Sequence, residues 1–442
     1  MKLIVDNIRS FAGRHTVDLR PLTILVGENS SGKSTLLAAL AALSDTTSFP
    51  GKLAVNKEPH DLGTYRTIAT FKGGKFGRAK TFSIGFCNNP DIGESDLREV
   101  LATYKEDRGN SALAEFQIET EYAKLILVFH EGKMTGTLCS KGKRPKSELA
   151  VGDESQPSPP REMHFESELD STAISLAETL PHFLLRALMN KQEQPAFFQP
   201  NEVFRLARDI TRSILKAGSI APIRSKPRRV YDRSSVSYEP GGDHIPYILA
   251  RLLNDEKDKR REKISAALQK FGKESGLFKK IAAPILGKHE GDPFEIEVSI
   301  AGPATNILDV GYGVSQSLPI VVESVLATPS TRLLVQQPEV HLHPKAQAAL
   351  GTFFVDMVRD GKREFVVETH SDYILDRIRQ EVAAGKLPPE SVVFVFLDKS
   401  HIETTINHLY LDKSGNILDA PPCYRTFFLQ EEINLMNRVG GL

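Results

Sequence analysis

Residues Gly27-Glu28-Asn29-Ser30-Ser31-Gly32-Lys33-Ser34, followed by Thr35, match G-x-x-x-x-G-K-[ST]. In that pattern the glycines let the chain fold into a concave loop. Its successive N–H groups, and the N-terminus of the helix that follows, face phosphate oxygens. Lys33 is spaced to reach β and γ phosphates, and the Ser34 hydroxyl to ligate Mg²⁺. Thr23–Val26 before the loop reads as a buried strand and Thr35–Leu40 after it as a helix, which is the context the motif requires. The spacing predicts a nucleoside triphosphate site.

A second set of polar residues sits far along the chain. Leu333-Leu334-Val335 leads into Gln336 and Gln337, then Pro338-Glu339-Val340-His341-Leu342-His343-Pro344, the shape of a Walker B strand. A later apolar strand, Glu364–Val367, ends in Glu368-Thr369-His370-Ser371. Between P-loop and Walker B, Tyr312-Gly313-Val314-Ser315-Gln316 opens a helix, where backbone N–H groups and Ser315 could meet a phosphate. His341 and His343 form an H-x-H pair that could ligate metal; packing or a dimer contact is the plainer expectation.

Taken together and in this order, these four segments resemble ABC-type ATPases of the SMC/RecF/OLD kind. More narrowly they are similar to bacterial AAA-family ATPases, an OLD-like head without the TOPRIM nuclease. The resemblance spans roughly residues 1–86 and 219–437. It implies that Gly27 through Thr35 bind ATP and Mg²⁺. It implies that Ser315 and Gln316 belong to the signature segment, which reaches the γ-phosphate of the opposite subunit in a head-to-tail dimer. His370 then corresponds to the switch histidine on the γ-phosphate, and Asp61–Tyr65 to the approximate place of the Q-loop, without its glutamine.

The chain departs from that pattern at one place. The metal-linked carboxylate position holds Gln336 and the catalytic glutamate position holds Gln337. A carboxamide carries no charge and is not a base near pH 7. Gln336 could still reach a metal-bound water, and Gln337 could orient an attacking water. Glu339 and Glu368 are the nearby carboxylates that could substitute. The expectation is an ATPase whose hydrolysis is weak or partner-dependent; the alternative is an ATP-locked scaffold without turnover.

The elements that must position these groups read as α/β: an ABC-type P-loop head with a β-rich N-terminal arm and a mostly helical insertion. Lys2–Asp6 and Arg14–Leu19 read as short strands, and Thr81–Phe86, Ala114–Thr120 and Lys124–His130 as antiparallel strands. Ser140–Pro160, rich in Lys, Gly, Ser and Pro, reads as a linker. From Ser167 to Leu286 the pattern is mostly helical, with Leu180, Phe183, Leu184 and Leu188 at helical spacing. Pro293–Ala301 reads as a strand. Ser317–Leu326, Lys345–Arg359 and Asp372–Ala384 read as helices alternating with Arg332–Val335, Glu364–Val367 and Val392–Leu397, which predicts a parallel sheet. The expected division is 1–139 for the first half of the head, 140–290 for linker and insertion, and 291–442 for the second half.

Composition bounds the partners. The 442 residues carry 56 basic against 56 acidic side chains, 40% hydrophobic and 25% charged residues, which fits a soluble globular protein. Any nucleic-acid surface must be local: Arg205–Arg233 holds nine basic residues against Asp209 and Asp232, and Glu256–Lys280 nine against four. These runs could meet DNA or RNA, as in a RecF-like DNA-maintenance ATPase, or form a solvated face. Pro222-Ile223-Arg224 also resembles the Gly-Pro-x-Arg segment common in that family, which favours a role inside the fold. Cys87, Cys139 and Cys423 are widely separated, suiting a reducing cytoplasm. No stretch is long and apolar enough for a membrane span. Ser371–Leu442 lacks the Asp-x-Asp a TOPRIM nuclease needs, Asp398-Lys399-Ser400 standing where a strand ends. The expected partners are a second copy, as homodimer or higher even oligomer, and a separate effector, a nuclease or toxin, as in anti-phage defence.

Overall fold

The computed structural model describes residues 1–74, 77–88, 97–130, 132–141, 161–167, 171–175, 216–232, 237–289, 291–329, 331–361, 363–422 and 424. They form two interleaved units, Met1–Leu19 with Ser34–Ser219, and Arg20–Lys33 with Ile220–Leu442.

The first unit is built on an eight-stranded sheet in the order Arg161–Ser167, Lys133–Ser140, Ala123–His130, Asn110–Thr120, Leu97–Asp107, Thr81–Cys87, Lys2–Ile8, Phe11–Asp18. Every neighbouring pair is antiparallel. Strict alternation in Ala123–His130, where every second side chain is buried, gives the sheet one apolar face. Aromatic rings thicken that core: Phe82 lies 5.4 Å from both Tyr65 and Tyr104. The buried Tyr104 hydroxyl donates to Pro50 O at 2.8 Å. The helix Lys33–Ser44 contributes Leu36, Leu37, Leu40 and Leu43, all buried.

The second unit holds the phosphate loop. Six of its strands run in the order Arg332–Gln336, Glu364–Glu368, Leu22–Gly27, Val392–Ser400, Glu403–Leu411, Ile417–Leu418. The first four are parallel and read as unbroken apolar runs, as parallel strands buried on both faces do. Leu22, Ile24, Val26, Leu333, Val335, Phe365 and Val367 face one core with helices Ile245–Asn254, Arg260–Ser275, Gly313–Leu326, Pro344–Gly361 and Asp372–Ala383. Arg20 fixes the start of the P-loop strand: its guanidinium donates to Pro389 O and Val392 O and lies 4.4 Å over the Tyr410 ring.

The structure extends the sequence reading in four places. The front sheet runs past Cys139 to Ser167 and takes in Leu97–Asp107, whose charged residues mask its alternation. Only Glu297–Ser299 of Pro293–Ala301 is a strand. The second sheet ends in antiparallel strands after Val392–Ser400, because a short turn at His401 sends the chain straight back. The helical middle includes Ile245–Asn254 and Arg260–Ser275, but also the strand Ala217–Ile220. Leu180, Phe183, Leu184, Leu188 and most of Ser140–Pro160 lie outside the described residues, as does Cys423. No helix among the described residues is long and apolar enough to cross a membrane.

One buried base makes the first unit acid-sensitive. His60 is buried, its Nε2 3.3 Å from Ser219 Oγ, and burial lowers its pKa from 6.5 to about 4. Below pH 6.5 the unfolded chain protonates this ring and the folded chain does not. Stability therefore falls as the pH drops through that window, by about 2 kcal/mol at pH 5 and about 3 kcal/mol near pH 4. Thermal unfolding of the full chain should show this loss, and His60→Gln should remove most of it.

Candidate functional site

The P-loop turns on backbone that only particular residues accept. Gly27 has φ +143°, and a Cβ there would lie 2.4 Å from Leu397 O. Gly32 has φ +102° and Ser30 φ +61°. Thr404, from the antiparallel strand, donates its hydroxyl to Ser31 O at 3.0 Å and so braces the loop from behind. Glu28, Asn29 and Ser30 are exposed along its rim, while Ser31 is buried with no hydrogen-bond partner at Oγ among the described residues. Lys33 is 3% exposed and its Nζ donates to Gly27 O at 2.9 Å and Glu28 O at 2.7 Å. Burial lowers its pKa, opposed first by Glu368, then Glu339, then Glu28. Ser34, exposed, and Thr35, buried, open the helix beyond.

The Walker B turn is held by its backbone. Gln337 N donates to Glu368 O at 2.8 Å, extending the ladder by one rung, and Gln337 then turns at φ +42°. The carbonyls of Gln336 and Gln337 both accept from Arg224 Nη2, at 3.2 and 3.1 Å. Arg224 is 2% exposed; burial brings its pKa down to about 10, with Glu339 pulling the other way. This basic residue therefore serves inside the fold. Arg205, Arg208, Arg212 and Arg233 of the same run lie outside the described residues, and Arg229 pairs on the surface with Asp309. Gln336 is buried, and its Oε1 has no partner among the described residues.

Glu339 joins this turn to the next strand end. Its Oε2 accepts from Thr369 Oγ1 at 2.8 Å and its Oε1 from His370 N at 2.7 Å. Gln347 adds a second tie: its amide donates to Leu342 O at 2.8 Å, and its carbonyl accepts from Ser371 Oγ at 2.6 Å. Ser371 in turn caps the helix Asp372–Ala383 through Ile374 N. His370 projects outward, its pKa lowered by partial burial and by Lys33, and raised by Glu339. Lys33, Glu339, Glu368 and His370 thus share one electrostatic neighbourhood, with Gln336 and Gln337 beside it.

The other sequence-singled residues stand elsewhere. Ser315 donates its hydroxyl to Tyr312 O at 2.8 Å, Gln316 is buried with no partner at Nε2 among the described residues, and neither bonds to the P-loop. His341, at φ +63°, receives the Tyr312 ring edge-on at 5.1 Å, and His343 Nδ1 accepts from Lys345 N. Asp61–Tyr65 belongs to the first unit, where Asp61 Oδ1 accepts from Gly63 N. Among the described residues no group of three or more His, Cys, Asp or Glu side chains is arranged to hold a metal. Gln336 Oε1 is an oxygen of the kind that Mg²⁺ or one of its waters would meet beside substrate phosphates.

The resemblance favoured an inner role for Arg224 without naming the turn it anchors, and sequence reasoning missed Thr369, Gln347 and Thr404 as braces. Each acts across a long sequence separation that no local pattern reports. The electrostatics give a direct test by NMR titration of the His370 ring. Lys33→Met should raise its pKa by removing a positive neighbour, and Glu339→Gln should lower it further by removing a negative one.

The chain matches the AAA ATPase domain family over residues 1–134 and 246–375, more than half its length. No curated protein matches it. Among solved structures it is similar to an SMC head bound to the C-terminal winged-helix domain of ScpA, at 12% identity over 93% of this chain and 98% of that one, TM-score 0.42. The SMC head domain from Thermotoga maritima is similar at 9% identity over 92% of this chain and 97% of that one, TM-score 0.36. An SMC head with an extended coiled coil from Pyrococcus furiosus is similar at 11% identity over 98% of each chain, TM-score 0.37. The family match takes in the P-loop, the Walker B turn and the strand end at His370, and the chain belongs to the AAA ATPase domain family.

Proposed function

We propose that this chain binds MgATP at Gly27–Thr35, pairs with a second copy around it, and hydrolyses it slowly. In this reading Ser315 and Gln316 of one copy meet the γ-phosphate held by the other, and His370 contacts that phosphate from within. The observation that carries the reading is the pairing of an intact P-loop with a Walker B turn that ends in two neutral carboxamides. Lys33 and the loop N–H groups supply phosphate binding. Gln337 can orient a water but cannot accept its proton. Glu339 sits close by, yet both its oxygens already accept hydrogen bonds from Thr369 and His370. Mg²⁺, when bound, would neutralise charge on the transferring phosphate.

A long-lived ATP-closed pair is a two-state device: ATP shifts the population only because it prefers the closed form. Such a device suits a sensor or scaffold for a separate effector, a nuclease or toxin, and the resemblance to lone defence ATPases supports that role. The RecF-like alternative needs bare cationic surface. In the second basic run, Arg260 pairs with Asp258, Arg261 with Glu256 and Lys270 with Asp356, which weakens it. DNA-stimulated turnover that declines steeply with salt would favour that alternative.

Light scattering with an ATP titration tests the central step. The wild-type chain should shift from monomer to dimer with ATP, and Lys33→Ala should lose ATP affinity by more than about tenfold and stay monomeric. A wild-type chain that remains monomeric at saturating ATP contradicts the proposal.

A further inference from the structure

We infer that Glu368 supplies the carboxylate that the metal side of this site lacks at Gln336. The inference rests on the proposed MgATP binding and deepens it.

The register carries the argument. Arg332–Gln336 and Glu364–Glu368 are parallel neighbours with Gln336 directly opposite Glu368. Side chains alternate along a strand, and register partners share a face. Leu333, Val335, Phe365 and Val367 all point into the helix-packed core. Gln336 and Glu368, one residue beyond, therefore leave the sheet on its opposite face, side by side. The carboxylate missing from one strand end is present on the adjacent strand end.

Burial and charge make the same assignment. Glu368 is 4% exposed, and a carboxylate so buried must be stabilised by a nearby positive charge or strong donors. It is also the first of the carboxylates that oppose the lowering of the Lys33 pKa, in keeping with its place opposite Leu25 of the P-loop strand. The competing candidates are accounted for otherwise. Glu28 is exposed on the rim. Glu339 has one oxygen on Thr369 and the other on the His370 amide, and works as the bracket that positions His370. Gln336, with an orphaned Oε1 next door, is suited to accept from a metal-bound water while Glu368 provides the charge.

The test is fluorescent ATP-analogue affinity, measured with Mg²⁺ and with EDTA, so that metal-dependent and metal-independent binding are read separately. In the wild type Mg²⁺ should tighten binding. Glu368→Gln should reduce that Mg²⁺-dependent gain by about tenfold or more, while the affinity in EDTA should not fall, because a negative charge near the bare triphosphate has been removed. Gln336→Glu combined with Glu368→Gln should restore the gain, because the carboxylate returns on the neighbouring strand. Thermal unfolding of each variant checks the fold. Should Glu368→Gln not fold, Glu368→Asp takes its place, with a smaller loss of the gain expected. An unchanged Mg²⁺ gain in Glu368→Gln or Glu368→Asp, or no recovery in the double variant, overturns the inference. A wild type that binds no nucleotide under either condition overturns the MgATP reading itself, and Lys33→Ala marks that baseline.

Discussion

The register between two parallel strands, Arg332–Gln336 and Glu364–Glu368, is the constraint on which the site depends. It sets Gln336 beside Glu368, lets Gln337 N reach Glu368 O, and brings Glu339 within reach of Thr369 and His370. Glu364–Glu368 also pairs with the P-loop strand, Glu368 opposite Leu25. A slip of one residue would turn every one of these side chains to the wrong face. The unbroken apolar runs and the helix-packed core exclude that slip, so the geometry of the polar residues is set by the packing of apolar ones.

Charge follows from the same arrangement. Lys33 and Arg224 are buried cations, and both are turned onto backbone carbonyls rather than paired outright with a carboxylate. Glu368 and Glu339 offset the cost at Lys33, and Glu339 that at Arg224. At the two positions where the resembled family places acids, this chain places carboxamides, so the turn adds hydrogen-bonding groups but no charge and no base. On the proposed reading that separates two properties which acids at these positions would supply together. Binding of a triphosphate relies on the P-loop and is retained. Proton abstraction from water relies on a free carboxylate, and Glu339 is already bonded at both oxygens.

How far the sequence discloses this depends on the distance over which each contact acts. The P-loop, its strand and its helix are contiguous, and their identities alone predict Leu22–Gly27 and Lys33–Ser44 closely. The three parallel strands of the second half are equally legible, because runs such as Phe365-Val366-Val367 leave little choice of element. Leu97–Asp107 was not, since Arg98, Glu99, Lys105 and Glu106 face outward and dilute its apolar alternation. Arg224 is the sharpest case. Its sequence context is a surface-like basic run, yet it is nearly fully buried under a turn more than a hundred residues away. Its Pro222-Ile223-Arg224 context favoured an inner role, but the tertiary fold supplies the partners that set it apart from Arg229, which stays on the surface with Asp309. Glu339 was read as a spare carboxylate; its two hydrogen bonds make it a clamp, and no local pattern announces them.

The most direct measurement is steady-state ATP turnover of the wild-type chain against Gln337→Glu, with oligomeric state recorded in the same samples. If neutral carboxamides limit the chemistry, the wild type turns over slowly as an ATP-bound dimer. Gln337→Glu then accelerates turnover by at least about tenfold and shortens the life of that dimer. If Gln337→Glu leaves the rate unchanged or lowers it, the carboxamides are not the limit and the account of a slow ATP latch fails.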